Sequence, residues 1–400
     1  MDLARLAQLR GPTGQAALAA AAELSPSDET FLPDLARLQK RFDPALAKAA
    51  LETALLRQKA RLKFTRAEHM YFTREALEQA SAEIIAHYRA ARFLGRGRVA
   101  DLGCGIGGDA IGLSAVAAVT LLERDPLRLA LAQANLAAYG RAADVLNQDL
   151  AAAPLPAADG LWFDPARRSA GRRRFSVRDY EPPLGIVSGW RARTPALGVK
   201  LSPGVDLAEL AEFLAPPALA AELEFISLHG ELKEAVLWFG PLRTAARRAT
   251  RLPGPHTLIA DPDAAQRLGP PANYLYEPDP AILRAGLVTT LAAQLAAHQL
   301  DADIAYLAAD ALTPTPWARA YAIFDAFPFQ LKRLREYLRA RGIGRLTVKK
   351  RGSPLEPEAL IRQLKLTGEA SGLIFLTHVA GRPYVLVGRE AALSAADAPA

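Results

Sequence analysis

The chain is nearly free of cysteine: Cys104 is the only one in 400 residues. A single thiol excludes intramolecular disulfides and any zinc site built on cysteine pairs, and no metal centre is expected. There is no uninterrupted run of 18 apolar residues, so a membrane-spanning helix is not expected either. The first residues, MDLARLAQLRGPTG, carry neither the apolar core nor the small-residue cleavage site of a secretory leader. Together these absences predict a cytoplasmic protein. Internal repeats are lacking, as is low-complexity sequence beyond alanine-rich helices. What is present is ordinary for a globular chain, with 50% hydrophobic and 23% charged residues. The length allows about two to four domains with sizeable cores. The formal charge of +7 is carried mostly by arginine, whose planar fork meets phosphate oxygens bidentately. A compositional bias toward alanine and arginine would produce the same total.

Hydrophobic period divides the chain. Residues 1–95 carry apolar residues at three- and four-residue spacing, in stretches such as PDLARLQKRF and PALAKAALETALLRQKARLKF, and predict a helical cap. Within it, TREALEQASAEIIAHYRAARFL opens with Thr73 as N-cap and Glu75 in the first turn, and predicts one helix of several turns. From residue 96 to 242 short apolar segments alternate with helical ones. RVADLGC, AVTLLER, ADVLNQD, GLWFDPA, ALGVKLS, ELEFISL and EAVLWFG read as seven strands, with helices such as DPLRLALAQANLAAYG and VDLAELAEFLA between them. That alternation predicts a parallel sheet covered on both faces. Only HGELK separates the last two strands, too few residues for a crossover helix, so they are expected as an antiparallel hairpin. Residues 243–272, rich in Arg, Pro and Gly, read as a linker. Beyond lies a smaller α+β portion with strands LTVKKRG, GLIFLTHV and RPYVLVG. It has a helix around FPFQLKRLREYLRARG, with Leu331, Leu334 and Leu338 as its apolar stripe, and a second helix, PEALIRQLKL.

The candidate chemistry concentrates in VADLGCGIGGD, residues 99–109. Gly103, Gly105 and Gly108 match G-x-G-x-x-G, with Gly107 in addition, between a strand and a helix. Backbone N–H groups there can cradle a ligand, although a tight turn without a ligand would use the same glycines. Glu123 follows the second strand, about 20 residues on. A carboxylate there can accept both ribose hydroxyls of a nicotinamide or S-adenosylmethionine cofactor. Asp125, followed by Pro126, reads as a helix N-cap. Asp149, at the end of the third strand, can reach an adenine amino group while Gln148 and Leu150 pack on the ring; a cap role is equally open. The candidate cofactor ligands are therefore Asp101, Gly103, Gly105, Gly107, Asp109, Glu123, Arg124, Gln148, Asp149 and Leu150. Asp164 closes the fourth strand in LWFDPARR, at the carboxyl edge where an open α/β sheet binds its ligands. Behind it Arg167, Arg168, Arg172, Arg173, Arg174 and Arg178, interleaved with Phe175 and Tyr180, form either a phosphate-binding rim or a solvated loop. In residues 332–351 nine Lys or Arg stand against one acid, Glu336, ending in Lys349, Lys350 and Arg351. This too is either a phosphate-binding face or a solvated one.

The order of elements, with DLGCGIGGD, LLERDP, NQD and FDPA, resembles class I S-adenosylmethionine-dependent methyltransferases. Within them, residues 63–170 resemble the trimethylguanosine synthase branch of guanine-N2 RNA methyltransferases. In that branch an acidic-aromatic segment and a Thr-capped helix (KFTRAEHMYFTREALEQASAEIIAHY in this chain) precede the glycine loop and a strand-four proline motif (DPAR). Residues from about 320 to 390 resemble a THUMP-like domain, on KKRG and PEALIRQLKL, and residues 273–318 a small ferredoxin-like module. The resemblance implies an α/β fold: a seven-stranded Rossmann-like methyltransferase sheet over 96–242, binding S-adenosylmethionine, with the N-terminal helical cap over 1–95. It implies a C-terminal α+β portion, ferredoxin-like over 273–318 plus THUMP-like and RNA-binding over 319–395. It further implies tRNA or rRNA as partner, methylation of a base nitrogen, and Asp164 and Pro165 as catalytic residues. Arg167, Arg168, Arg172, Arg173, Lys349, Lys350 and Arg351 would then contact substrate. Amino-methylating relatives carry Asp/Asn/Ser-Pro-Pro followed by an aromatic that stacks on the base, whereas this chain has Asp164-Pro165-Ala166-Arg167. Tyr71 or Phe72 could supply the missing ring, or simply pack.

Methyl transfer from a sulfonium is an in-line displacement, in which alignment and exclusion of water are the enzyme's main tasks. Asp164 would hold an exocyclic amine and take its proton late. Cys104, inside the glycine loop, is ill placed for a covalent 5-methylpyrimidine route. Two other readings stay open: a cofactor- and RNA-binding pseudoenzyme, suggested by the altered DPAR motif, and a methyltransferase for a small molecule or protein. A nicotinamide oxidoreductase is disfavoured, since no Tyr-x-x-x-Lys or catalytic histidine arrangement follows the loop.

Overall fold

Alanine and leucine at helical spacing build the first third of the first unit. The computed structural model describes residues 1–152, 154–165, 168–169, 172–173, 176–216 and 219–391. They form two compact units: Met1–Glu222 with Glu234–Thr244, and Leu223–Lys233 with the chain from Ala245. Helices Leu3–Arg10, Pro12–Glu23, Phe31–Leu38 and Pro44–Ala60 open the first unit. The longest, Pro44–Ala60, starts because Asp43 accepts from the amides of Ala45 and Leu46 and Pro44 needs no amide partner. Thr73 caps the next helix as expected, accepting from Ala76 N at 3.2 Å, but the single helix read from the sequence is two, Arg74–Gln79 and Glu83–Ala90. The break has a cause outside the segment. The Lys63 ammonium donates to the carbonyls of Leu77, Glu78 and Ala80 at 2.8, 3.2 and 2.8 Å. These carbonyls are thereby satisfied without a further turn, and a cation suits the negative end of the helix dipole.

The sheet of the first unit contains β1 (Arg98–Leu102), β2 (Ala118–Leu122), β3 (Asp144–Leu146) and β4 (Gly160–Phe163). After the short hairpin of β5 (Arg168–Ser169) with β6 (Arg172–Arg173) comes β7 (Leu197–Leu201); β8 (Ala221–Leu228) belongs from Leu223 to the second unit, and β9 (Glu231–Phe239) returns to the first at Glu234. β1 lies between β2 and β4, parallel to both; β3 is parallel to β2, β7 is parallel to β4, and β9 is antiparallel to β7. β4 and β7 are buried along their whole length, which is why they read as apolar runs rather than alternating ones. Gly198 in β7 makes room for two rings: a Cβ there would sit 2.7 Å from Trp238 and 2.8 Å from Trp162. The chain leaves β1 for β2 on one side and places β4 on the other. The carboxyl ends of β1 and β4 therefore flank the crevice where open α/β sheets take ligands.

The seven strands expected over residues 96–242 are β1 to β4 and β7 to β9. Residues 243–272, read as a linker, contain β10 (Arg247–Leu252), parallel to β8, and β11 (His256–Ile259), antiparallel to β10. The arginines of RRATRL hid a strand whose Ala249, Thr250 and Leu252 are buried. Ladder hydrogen bonds come from the backbone and do not need an apolar sequence.

In the second unit, β12 (Tyr274–Pro278), β13 (His298–Asp301), β14 (Ile304–Ala309), β15 (Ala318–Pro328), β16 (Ile343–Lys350), β17 (Ala370–Val379) and β18 (Arg382–Glu390) form one sheet. Their order is β13-β14-β12-β15-β18-β17-β16. The separate module expected over 273–318 is therefore not separate. β12 pairs with β15, and Leu275, Tyr306, Tyr321, Phe375 and Leu386 share one core. Helix Leu331–Ala340 buries Leu334 and Leu338, with Leu331 partly covered, and Pro357–Leu364 is the crossover that makes β16 and β17 parallel. Among the described residues no helix is long and apolar enough to cross a membrane.

Candidate functional site

Beyond β1 the backbone turns through Gly103, Gly105 and Gly107, with φ of +79°, +54° and +81°, a region that side chains with a Cβ rarely enter. Gly107 is also packed: a Cβ would lie 3.1 Å from Ala132 Cα and 3.3 Å from its carbonyl oxygen. At Gly105 the reverse holds. A Cβ there would meet nothing within 4 Å, so the backbone is open to a ligand just before helix Gly108–Leu113. Glu123, immediately after β2, belongs to this mouth. Gly105 N donates to its Oε2 at 3.1 Å and Asp125 N to its Oε1 at 3.0 Å. Asp125 caps helix Pro126–Ala138 as expected, accepting from Leu127 N and Arg128 N. Two residues not singled out in the sequence brace the loops. Asn147 donates to the carbonyls of Glu123 and Arg124 at 2.8 and 3.0 Å, and Asn135 donates to that of Ile106 at 3.0 Å.

β3 ends at Leu146, so Gln148, Asp149 and Leu150 lie in the following loop rather than at a strand end. Asp149 is exposed and accepts from Ala151 N at 2.9 Å, which fulfils its cap role. Leu150 reaches within 4.0 Å of where a Gly103 Cβ would lie. Gln148 is exposed, and exposed Arg124 lies 3.6 Å from Glu181.

Beneath the glycine turn lies a buried charge cluster that sequence reading met only in part. Arg89, from helix Glu83–Ala90, is buried over the ring of Trp162. It pairs with Asp109 and, at 2.7 Å, with Glu234 of β9. Trp162 donates to Asp109 at 2.9 Å, and Ser81 lies 3.3 Å from Glu234. Lys200, in the middle of β7 and only 4% exposed, donates to Asp164 Oδ2 at 2.7 Å and lies 3.9 Å from Asp109. Asp164 Oδ1 receives no hydrogen bond from the described residues. Burial pushes the Asp109 carboxyl up, but Arg89 and Lys200 more than reverse this and hold it down at about 2. It is thus an ionised anchor inside the cluster rather than a free cofactor ligand. Asp101 differs. It is fully buried, and among the described residues neither of its oxygens receives a hydrogen bond. Burial, then the neighbouring carboxylates of Asp109 and Asp164, push it well above the ordinary range. Burial also pushes the Cys104 thiol well up, reinforced by Asp101 and Glu123, which makes it a poor nucleophile. Lys200 shows in the sequence as a charge inside an otherwise apolar strand, ALGVKLS, though without its partner; Glu234, at the head of EAVLWFG after Lys233, carries no such signal.

Several expected substrate residues sit elsewhere. Tyr71 and Phe72 are buried by packing: Tyr71 under Arg57 and hydrogen-bonded to Asn135 and Gln15, Phe72 stacked on Phe64. Neither offers a ring to a base. Arg167 lies outside the described residues. Arg168, Arg172 and Arg173 are described only as the backbone of β5 and β6. In the second unit Lys349 is committed to Glu277 at 2.5 Å and Lys350 to Glu356 at 2.7 Å, and Arg351 lies over Tyr306. The two lysines would reach a phosphate only in competition with these carboxylates.

A left-handed glycine turn at the switch point of a parallel sheet, open at Gly105, with a carboxylate after the next strand, defines a nucleotide-cofactor-binding α/β protein of the Rossmann type. The residues fit a nucleoside cofactor, and among those described no His, Cys, Asp and Glu cluster could hold a metal. Two uncharacterized S-adenosylmethionine-dependent methyltransferases of Mycobacterium tuberculosis, from strains CDC 1551 and H37Rv, are each 35% identical over 339 residues. The match covers 82% of this chain and 92% of theirs. The chain belongs to the S-adenosylmethionine-dependent methyltransferases, and S-adenosylmethionine is its cofactor. A candidate methyltransferase from Porphyromonas gingivalis W83, 22% identical, shares the fold, with a TM-score of 0.74 over 94% of this chain and 99% of that one. The THUMP domain-like family matches residues 318–390, and a domain of unknown function (DUF8688) matches residues 2–60.

Proposed function

We propose that this methyltransferase acts in the cytoplasm on RNA, tRNA or rRNA, at a base nitrogen. The observation that carries the reading is the THUMP domain-like match over residues 318–390, joined to a cofactor crevice whose catalytic edge presents Asp164. S-adenosylmethionine supplies an electrophilic methyl group when bound. The open backbone at Gly105 and the Glu123 carboxylate would hold its nucleoside end. At the other end Lys200 fixes Asp164 through Oδ2, which leaves Oδ1 to accept a hydrogen bond from an exocyclic amine. Asp164 would accept the proton that an amine nitrogen sheds on methylation. Pro165, buried beside Asp164, stiffens the strand end that carries the carboxylate. The RNA would be gripped through helix Leu331–Ala340, where exposed Arg339 donates to the carbonyl of Lys365 and half-buried Arg335 to that of Gln363.

The test is incubation of the protein with methyl-labelled S-adenosylmethionine and total RNA from a strain lacking the gene. Label entering RNA, lost in Asp164→Ala with cofactor affinity retained, is the expected result. Cofactor binding with no label in RNA would favour the pseudoenzyme that the DPAR motif suggests, and label in protein instead would redirect the substrate class.

A further inference from the structure

β15 and β18 pair antiparallel, but their register slips by one residue between Ile323 and Asp325, opposite Gly388 and Val387. Phe324 is the extra residue of this bulge. Gly388 leaves room for it: a Cβ there would lie 2.4 Å from the Ala322 carbonyl oxygen and 2.9 Å from Ile323 Cδ1. A bulge re-aims a side chain out of the alternation of its strand, and Phe324 stands 60% exposed. It is the only exposed Phe, Tyr or Trp among the described residues. A lone exposed ring needs no explanation, but this one has arginines around it. Arg389 of β18 lies over it at 5.5 Å. Asp325, next in the chain, lies beside Tyr337 of helix Leu331–Ala340. Arg341 covers the Tyr337 ring at 3.6 Å. Tyr337 leans on Phe327 at 5.3 Å, and Phe327 carries Arg333 at 4.5 Å. All three arginines are exposed, and none pairs with a carboxylate among the described residues.

Three guanidiniums without counter-charges, held over aromatic rings beside one bare ring, complement a nucleic-acid strand whose bases are unpaired. Its phosphates meet the cations. A base face meets the ring, because stacking on an aromatic side chain needs only the flat surface that every base has. A guanidinium stacks in the same way. Paired bases are already stacked on their neighbours inside a duplex, so a duplex could not use the ring. We infer that Phe324 is the stacking platform for an unpaired nucleotide of the RNA acceptor. Arg389 covers the same base, and Arg341 and Arg333 take the flanking phosphates. The inference rests on RNA as the acceptor and adds which part of it this unit grips: a loop or an end, not a helix.

The test is fluorescence anisotropy of the full chain with a fluorescein-labelled single-stranded oligoribonucleotide of mixed sequence, and with the same strand annealed to its complement. The single strand is expected to bind more tightly than the duplex. Phe324→Leu, which keeps an apolar side chain and removes the flat ring, should weaken the single strand about tenfold, the weight of one base–aromatic stack. Phe324→Trp should restore it. Stacking carries no charge, so Phe324→Leu should leave the salt dependence unchanged, whereas Arg389→Ala should lower its logarithmic slope by about 0.7. Equal binding by Phe324→Leu and the unmodified chain, or a preference for the duplex, would overturn the inference and leave RNA standing as the acceptor. Binding of neither oligonucleotide would overturn it too, and the label-transfer assay above then reads whether RNA as acceptor falls with it. Self-association of the unmodified chain that Phe324→Leu abolishes would give the patch to a second copy instead. Should Phe324→Leu fail to fold, the comparison of single strand with duplex and the Arg389→Ala slope still decide it.

Discussion

Lys200 and Glu123 hold opposite ends of the crevice, and their replacements should separate cleanly. Lys200→Met keeps the length of the side chain and removes the ammonium that fixes Asp164 at 2.7 Å. Methyl transfer is expected to fall about 10²-fold or more, the usual worth of a positioned acid–base group, with donor affinity within a few-fold of the unmodified chain. Glu123→Ala removes a carboxylate that receives two backbone amides beside the open glycine. It should weaken donor binding by about 1.5–3 kcal/mol, the scale of a charged hydrogen bond, and leave turnover of bound donor nearly unchanged. Calorimetry with S-adenosylmethionine alongside single-turnover transfer reads both. The same pattern in the two variants would mean that the roles are not divided this way. Glu123 was legible in the sequence because its position follows from a local rule, an acid after the second strand. Lys200 was not, because a lysine among apolar residues reveals its partner only once β4 and β7 are known to be neighbours.

At the level of elements, the glycine turn is the most exacting piece. Gly107→Ala would force a Cβ into a left-handed conformation 3.1 Å from Ala132 Cα. It should cost about 1–3 kcal/mol and weaken donor binding in the same variant, since helix Gly108–Leu113 starts there. Thermal unfolding and calorimetry would show it, and an unperturbed melting temperature would contradict the geometry. Strands β1, β2, β4, β7, β8 and β9 were readable as buried apolar runs. β10 and β11 were missed because an arginine-rich stretch can still add a backbone ladder. The helix break near Ala80 was missed because its cause, Lys63, lies outside the segment and caps three carbonyls at once.

For the molecule as a whole, the buried cluster sets how stability follows pH, and two of its members act in opposite directions. Asp109 is held below its unfolded value, at about 2, so its contribution is present above the unfolded value near 3.8 and fades as pH falls from about 4 to about 2. Asp101 is raised; its contribution is fully present below the unfolded value and is lost as pH rises through the folded one. Asp101→Asn, which cannot ionise, is therefore expected to gain melting temperature over the unmodified chain as pH rises from about 5 to about 8. The shift is roughly 2–4 °C per kcal/mol for a unit of this size. Melting curves across that range would contradict this if the difference were constant.

What the sequence determined by itself is local. The left-handed turn, the helix caps at Thr73 and Asp125, and the buried strands each depend on residues within a few positions, because φ restrictions, capping hydrogen bonds and apolar periodicity are short-range. The tertiary structure alone decided that Arg89, Asp101, Asp109, Asp164, Lys200 and Glu234 meet in one buried cluster. It alone decided that Tyr71 and Phe72 are packing, and that β12 to β18 form a single sheet. The physical reason is that charge pairing and ladder pairing act between whichever elements become neighbours, and strand order is set by the packing of the whole rather than by any one segment.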